Sequence, residues 1–177
     1  SENETDFPTM VGENFEEFVE LSRVHKDGWG IVNRNGEVIK EADAAFDNSN
    51  FKEVLEKNKS TGSLLHFRMA TLGLPIEKDN SHPFSYKEYS FIHNGSVTPP
   101  TALDSSIQEK YLSHVTGDTD SERYFFLVVQ EVEKLGLVPG IKSAISIIKS
   151  KSSFSSVNAM LLTSDKLVII NEHDANK

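Results

Sequence analysis

Residues 90–97 read SFIHNGSV, and this short stretch decides how the rest of the chain is interpreted. The aromatic side chains of Tyr89 and Phe91 predict a β-strand that leads directly into Asn94 and Gly95. Asn-Gly is typical of a tight two-residue turn, because both central positions of such a turn take positive φ angles that these residues tolerate. The pair therefore predicts either an ordinary hairpin turn or a turn that also places an amide and a backbone N–H for chemistry.

Outward from this stretch, the hydrophobic patterns predict helices and strands that are grouped and do not alternate regularly. Apolar residues at helical spacing predict helices over residues 13–23, 50–58, 105–113, 120–135 and 140–150. Apolar runs bounded by turn residues predict further strands within residues 28–40, 62–70 and 156–172. This order disfavours a doubly wound parallel sheet and favours antiparallel sheets flanked by helices, an α+β fold.

Length and composition exclude several classes of function. The chain has 177 residues, which suits one domain, and a formal net charge of -9. We expect no nucleic-acid partner, because proteins that bind nucleic acids usually carry a basic face. We expect no membrane partner either, because no apolar stretch approaches the roughly 18 to 20 residues that cross a bilayer. The start SENETDFP is unlike a signal peptide, so a cytoplasmic location is expected.

Cysteine is absent from the chain, and this bears on any catalytic hypothesis. Without cysteine the chain contains no disulfide, no thiolate metal site and no thiol nucleophile.

Four polar or glycine-rich segments lie where predicted strands end. They are HKDGWG (25–30), HFRMATLG (66–73), HNG (93–95) and GDTDSE (117–122). A guanidinium from Arg68, a carboxylate at a helix start and amide N–H groups at a strand end would together suit a zwitterion. Arginine binds an α-carboxylate through two parallel hydrogen bonds, and aspartate holds an α-ammonium group. An α-amino acid is the obvious ligand of this kind.

Simpler explanations exist for each of these residues. Trp29 between two glycines is compatible with a packed aromatic and close backbone approach. Arg68, within an apolar strand, is compatible with a structural ion pair to Asp120. Asp118 and Asp120 are compatible with helix capping. A metal-dependent hydrolase is a further alternative, with four candidate ligands: His25, Asp27, His82 and His93.

The four segments, taken in order, resemble the class II glutamine amidotransferases, which are N-terminal-nucleophile hydrolases. The likeness is closest to the stand-alone members and includes NSHPF (80–84) before FIHNGSV. It implies a four-layer αββα sandwich of two antiparallel sheets, formed by a single domain over residues 1–177. Members begin with a cysteine and an apolar strand, whereas this chain begins with a polar segment. We therefore expect the first strand, and some sheet at the other end, to lie outside this chain.

The resemblance implies a role for five residues. Arg68 would bind the α-carboxylate of glutamine, with Thr71 beside it, and Asp120 would bind the α-amino group. Asn94, through its side-chain amide, and Gly95, through its backbone N–H, would form the oxyanion hole. Such donors contribute roughly 3 to 4 kcal/mol each when they point at the developing oxyanion.

The family's nucleophile is the thiol of an N-terminal cysteine, whose α-amine acts as the base. Three explanations for its absence stay open. The nucleophile lies outside this chain, or the chain is an inactive relative that binds glutamine or glutamate, or Ser1 replaces the cysteine.

The predicted function is cleavage of the side-chain amide of glutamine or of a γ-glutamyl compound, with an amino-acid or γ-glutamyl binding module as the alternative. The resemblance implies no cofactor and no metal. It leaves open an acceptor domain or a partner protein that receives the ammonia.

Overall fold

The computed structural model describes residues 3–34 and 36–173, which form two compact units. The first unit comprises Ser1–Phe91 and Leu162–Leu167, and the second comprises Ile92–Leu161 and Val168–Lys177. None of the helices in the described part of the chain is long and apolar enough to cross a membrane.

The first unit contains a three-stranded antiparallel sheet with the order β2-β1-β3. Its strands are β1 (Trp29–Asn33), β2 (Val38–Glu41) and β3 (Ser63–Phe67). Three α-helices among the described residues belong to the same unit: α1 (Phe7–Val11), α2 (Phe15–Glu20) and α3 (Phe51–Lys57). Their apolar faces and the sheet share one core, whose buried members are Phe15, Val19, Trp29, Ile31, Ala45, Phe51, Leu55, Leu65 and Phe67.

The remaining strands form a four-stranded sheet with the order β4-β5-β6-β7. They are β4 (Phe84–Tyr86), β5 (Tyr89–Thr98), β6 (Ser153–Leu162) and β7 (Leu167–Ile170). The helices of the second unit are α4 (Glu109–Leu112), α5 (Asp120–Leu135) and α6 (Leu137–Lys151). Helix α5 is buried on most sides, since its apolar residues from Tyr124 to Val129 are all buried.

The structure confirms the predicted α+β class, with two antiparallel sheets and helices. The helices predicted at 50–58 and 120–135 are present as α3 and α5. The helix predicted at 140–150 begins earlier, at Leu137, because Pro139 lies in its first turn, where proline is tolerated. The helix predicted at 105–113 is shorter and is limited to Glu109–Leu112.

Helix α1 is not among the helices predicted from the sequence. Asp6 caps its N-terminus, since its side chain accepts a hydrogen bond from Thr9 N at 2.8 Å, and Pro8 lies in the first turn. The predicted hairpin of β1 and β2 is present, although Asn35 of its turn lies outside the described residues.

The predicted turn at Asn94 and Gly95 is wrong. Both residues lie inside the continuous strand β5, which extends three residues further, to Thr98. Gly95 has a φ of 152°, and a Cβ atom there would collide with the backbone carbonyl of Ser156 in β6. Glycine is required at this position because the neighbouring strand approaches closely, not because the chain reverses direction.

Candidate functional site

Arg68 directly follows β3 and does not lie within it, and its guanidinium is held by two backbone carbonyls. Nη1 donates to Asp27 O at 3.3 Å, and Nη2 donates to Pro75 O at 3.1 Å. Only 4% of the residue is exposed. Burial lowers the pKa of Arg68, and the nearby Asp27 carboxylate acts in the opposite direction. The guanidinium remains a cation, because arginine does not lose its proton in proteins.

The segment HKDGWG supports Arg68 through Asp27. The Asp27 carboxylate accepts the N–H of Ala70 at 2.8 Å, and the Asp27 N–H donates to Arg68 O at 3.0 Å. Arg68 N in turn donates to Gly28 O at 2.8 Å. These contacts fix the ends of β1 and β3 side by side, so that the backbone around Arg68 is rigid.

Trp29 is a core residue, as the simpler of its two explanations predicts. Its side chain is 1% exposed and contacts the Phe51 ring edge to face, with 4.8 Å between centroids. A Cβ at Gly28, whose φ is 130°, would lie 2.7 Å from Ser81 Oγ. The two glycines therefore permit close backbone approach around a packed tryptophan.

Thr71 lies in an exposed turn that follows Arg68. Its carbonyl accepts the N–H of Leu74 at 3.0 Å. The turn brings the chain back to Pro75, whose carbonyl is shared by Arg68 Nη2 and Asn80 Nδ2. Thr71 is thus close in sequence to Arg68 and accessible to a ligand.

In the second unit, Asn94 and Gly95 are both exposed on strand β5. His93 before the pair and Val97 two residues after Gly95 are buried, so the strand is anchored on both sides of an accessible amide corner. An exposed amide side chain next to an exposed glycine can donate hydrogen bonds to a ligand carbonyl.

Asp120 is the first residue of α5, and its carboxylate is bonded to β5. Its Oδ2 accepts the N–H of Val97 at 2.6 Å, and the residue is 7% exposed. The helix cap is Thr119, whose hydroxyl accepts Glu122 N at 3.2 Å. Asp120 is therefore not the capping residue, and its carboxylate is directed toward the strand that carries Asn94 and Gly95.

The segment before α5 is fixed by the two residues after Ser121. The Glu122 carboxylate accepts the N–H groups of Thr116 at 3.1 Å and Gly117 at 2.7 Å. Arg123 pairs with Asp104, with 2.9 Å between Nε and Oδ1. These contacts make the start of α5 a rigid support for Asp120.

Comparison with known proteins identifies this set of motifs. Residues 4–157 match the family model of the class II glutamine amidotransferases. The chain belongs to this family. The match includes the segments that carry Arg68, Asn94, Gly95 and Asp120, and it extends over both compact units.

Two curated relatives carry the same family name. DUG3 of Saccharomyces cerevisiae, named a probable glutamine amidotransferase, is 29% identical over 147 residues, which are 74% of this chain and 41% of DUG3. YafJ of Escherichia coli is 28% identical over 130 residues, which are 68% of this chain and 49% of YafJ. The chain thus spans less than half the length of each of these relatives.

Solved structures show the same fold at low sequence identity. A glutamine aminotransferase class-II domain protein from Silicibacter pomeroyi has a TM-score of 0.67 and 20% identity, over 85% of this chain and 71% of that one. Glutamine phosphoribosylpyrophosphate amidotransferase from B. subtilis, in complex with ADP and GMP, has a TM-score of 0.64 and 19% identity, over 94% of this chain and 35% of that one. This member of the family therefore has the fold of the N-terminal-nucleophile hydrolases.

The predicted site residues divide between the two units of the chain. Arg68 and Thr71 belong to the first, and Asn94, Gly95 and Asp120 belong to the second. That all five converge on one ligand stays a prediction. The Ser1 hypothesis concerns a residue outside the described part of the chain.

The metal-dependent alternative finds no support among residues 3–34 and 36–173, where no three His, Asp or Glu side chains are grouped so as to hold an ion. Both ring nitrogens of His93 are hydrogen-bonded within the protein, and Asp27 is bonded to Ala70 N.

Three groups bonded to the predicted residues or to His93 have no sequence signal: the N–H of Val97, which Asp120 accepts, the hydroxyl of Ser156, which donates to Asn94 O, and the hydroxyl of Ser121, which is bonded to His93. A serine in a run such as SSFSSV carries no pattern that separates one hydroxyl from the next.

Proposed function

We propose that this chain supplies the glutamine-binding part of a class II glutamine amidotransferase that cleaves the side-chain amide of glutamine or of a γ-glutamyl compound. The observation that carries the proposal is the hydrogen bond from Val97 N to Asp120 Oδ2. This bond connects the Asp120 carboxylate to β5 two residues beyond Gly95. The carboxylate and two donors, the Asn94 side-chain amide and the Gly95 N–H, therefore lie near one another in the second unit.

The roles follow from the chemistry of glutamine. Asp120 would pair with the α-ammonium group and Arg68 with the α-carboxylate, with Thr71 as a neighbouring hydroxyl. The side-chain carbonyl would then meet the Asn94 amide and the Gly95 N–H. Attack on that carbonyl creates an oxyanion, and donors already in place stabilise it without reorganisation.

The nucleophile in this proposal is an N-terminal cysteine thiol that is not part of this chain. Its α-amine, with an ordinary pKa near 8, would accept the thiol proton at neutral pH. The thiol sulfur would form a thioester with the γ-carbonyl as ammonia leaves, and water would then release glutamate.

A second candidate function is that of an amino-acid or γ-glutamyl binding module with the same fold. A member of the family that binds glutamine or glutamate without cleaving it needs the same five residues and no nucleophile. Only the amidotransferase candidate releases ammonia, which would pass to water or to an acceptor.

Calorimetric titration of this chain with L-glutamate tests the binding that both candidates require. We expect saturable heat for the unchanged chain and its loss in Arg68→Ala and in Asp120→Ala. Absence of binding to the intact chain would contradict both candidates. Ammonia release from L-glutamine by a form of the protein that carries the N-terminal cysteine then separates them, since only the amidotransferase releases it.

A further inference from the structure

Three hydrogen bonds connect the start of α5 to the Asn94–Gly95 corner through His93 and Ser156. The His93 ring is 3% exposed and lies edge-on to Tyr124, with 5.3 Å between centroids. His93 Nδ1 lies 2.9 Å from Ser121 Oγ, and His93 Nε2 lies 3.2 Å from the backbone carbonyl of Ser156. The ring therefore bridges a helix and a strand that are distant in sequence.

The chemistry of the partners determines the direction of these bonds. A backbone carbonyl only accepts, so the proton of the neutral ring is on Nε2, and Nδ1 accepts the hydroxyl proton of Ser121. Burial lowers the pKa of His93 and so favours the neutral ring, and the Asp120 carboxylate acts in the opposite direction. His93 thus acts as a fixed connector and not as a proton carrier.

The third hydrogen bond, donated by Ser156, ends on the Asn94–Gly95 peptide, whose N–H would donate to the ligand carbonyl in the proposed chemistry. Ser156 Oγ donates to the backbone carbonyl of Asn94 at 2.8 Å. That carbonyl and the N–H of Gly95 belong to one planar trans peptide and point in opposite directions. The Ser156 hydroxyl therefore fixes the direction of the Gly95 N–H. A glycine at φ 152° would otherwise allow this peptide to rotate more freely.

We propose that Ser156 is a positioning residue for the oxyanion hole, held in place by the Ser121–His93 pair, and that it gives the site its preference for a ligand with a side-chain carbonyl. This inference rests on the proposed function, because it assigns the Gly95 N–H to the ligand carbonyl. Ser156 reaches the ligand only through the Asn94–Gly95 peptide.

A pair of ligands separates this role from a merely structural one. L-Glutamine and L-norvaline share the α-ammonium and α-carboxylate groups, but norvaline has no side-chain carbonyl. Calorimetry gives the ratio of their dissociation constants for the unchanged chain, for Ser156→Ala and for the control Ser153→Ala. Ser153 Oγ, also on β6, donates to the β5 carbonyl of Thr98 at 3.4 Å. Ser153→Ala therefore removes a similar hydrogen bond between the same two strands, away from the Asn94–Gly95 peptide.

We expect Ser156→Ala to reduce the preference for glutamine over norvaline by about three- to tenfold, the effect of one hydrogen bond, and Ser153→Ala to leave it unchanged. Equal weakening of both ligands in Ser156→Ala, or no weakening, would overturn the inference and leave the proposed function in place. A wild-type chain that binds neither ligand would overturn both.

A second measurement does not depend on any ligand. Nitrogen-15 chemical shifts of the His93 ring report which nitrogen carries the proton. We expect the Nε2–H tautomer in the unchanged chain at neutral pH. A proton on Nδ1, or a doubly protonated ring, would contradict the assigned directions of the hydrogen bonds from Ser121 through His93 to Ser156 and would overturn the inference.

Discussion

The carboxylate of Asp120 accepts the backbone N–H of Val97, with 2.6 Å between Oδ2 and N. This bond joins the first residue of α5 to β5, just beyond the exposed pair Asn94 and Gly95. Because Thr119 performs the capping, the Asp120 side chain is not needed for that task and takes part in the contact between helix and strand. Two distant parts of the sequence thereby meet at one point of the second unit.

Asp120→Asn tests whether the charge of this side chain binds the ligand. Asparagine retains an oxygen that can accept the Val97 N–H, so the thermal stability should change little. Loss of the charge should weaken L-glutamate binding by roughly 10- to 100-fold, the effect of a charge-assisted hydrogen bond of about 1.5 to 3 kcal/mol. Calorimetry measures the binding. The exposed neighbour Asp118, changed to Asn, is the control, and equal weakening in both variants would contradict the assignment.

Arg68→Lys tests whether the planar guanidinium is needed in addition to its charge. Arg68 reaches two carbonyls 3.3 and 3.1 Å away with two different nitrogens, which one ammonium group on a flexible stem does not reproduce. We expect affinity for L-glutamate to fall at least about tenfold. Arg23→Lys, at an exposed residue paired with Glu20, should bind as the unchanged chain does. Full binding by Arg68→Lys would show that charge alone is enough.

Local sequence patterns are sufficient to predict α5 and its cap. Its apolar residues recur at helical spacing, and Thr119 three residues before Glu122 is a common start signal. The hairpin of β1 and β2 is predictable for a similar reason, since its turn residues and its strands are adjacent in sequence.

The wrong turn at Asn94 and Gly95 has a different origin. The Asn-Gly signal is local, whereas the strand continues because β6, some sixty residues later, pairs with it and approaches Gly95 through Ser156. No local rule reports the approach of a distant strand, so this tertiary contact overrides the turn propensity. The site residues are predicted through the resemblance of the motifs, and that prediction does not include the hydroxyls of Ser121 and Ser156.

Gly95→Ala tests the close approach of β6. The new Cβ would collide with the Ser156 carbonyl and lie 2.5 Å from Ser156 Oγ, in addition to the strain at φ 152°. Gly136→Ala is the matched control, because Gly136 has a φ of 86° but an added Cβ there would meet no neighbouring atom within 4 Å. We expect the control to lose about 1 to 2 kcal/mol of unfolding free energy, and Gly95→Ala to lose roughly 4 kcal/mol or more. Urea denaturation compares them, and equal losses would contradict the collision.

A buried carboxylate connects the two long helices of the second unit. Glu131 of α5 is 4% exposed, and its Oε2 accepts the hydroxyl of Ser143 of α6 at 2.7 Å. Burial acts to raise the pKa of Glu131, but the hydrogen bonds from Ser143 and Gln130 outweigh it, and the pKa lies below its ordinary value of 4.5.

This lowered pKa predicts a pH-dependent stability. A carboxyl whose pKa is lower in the folded state contributes stability above its unfolded pKa and loses it as the pH falls through the folded pKa. Ser143→Ala removes the strongest of the lowering contacts and should cost about 1 kcal/mol at pH 7. Relative to Ser146→Ala, an exposed serine on the same helix, this cost should shrink as the pH falls below 4.5. Urea denaturation at a series of pH values measures it, and a cost that stays constant down to pH 3 would show that the Ser143 hydroxyl does not depend on the Glu131 charge.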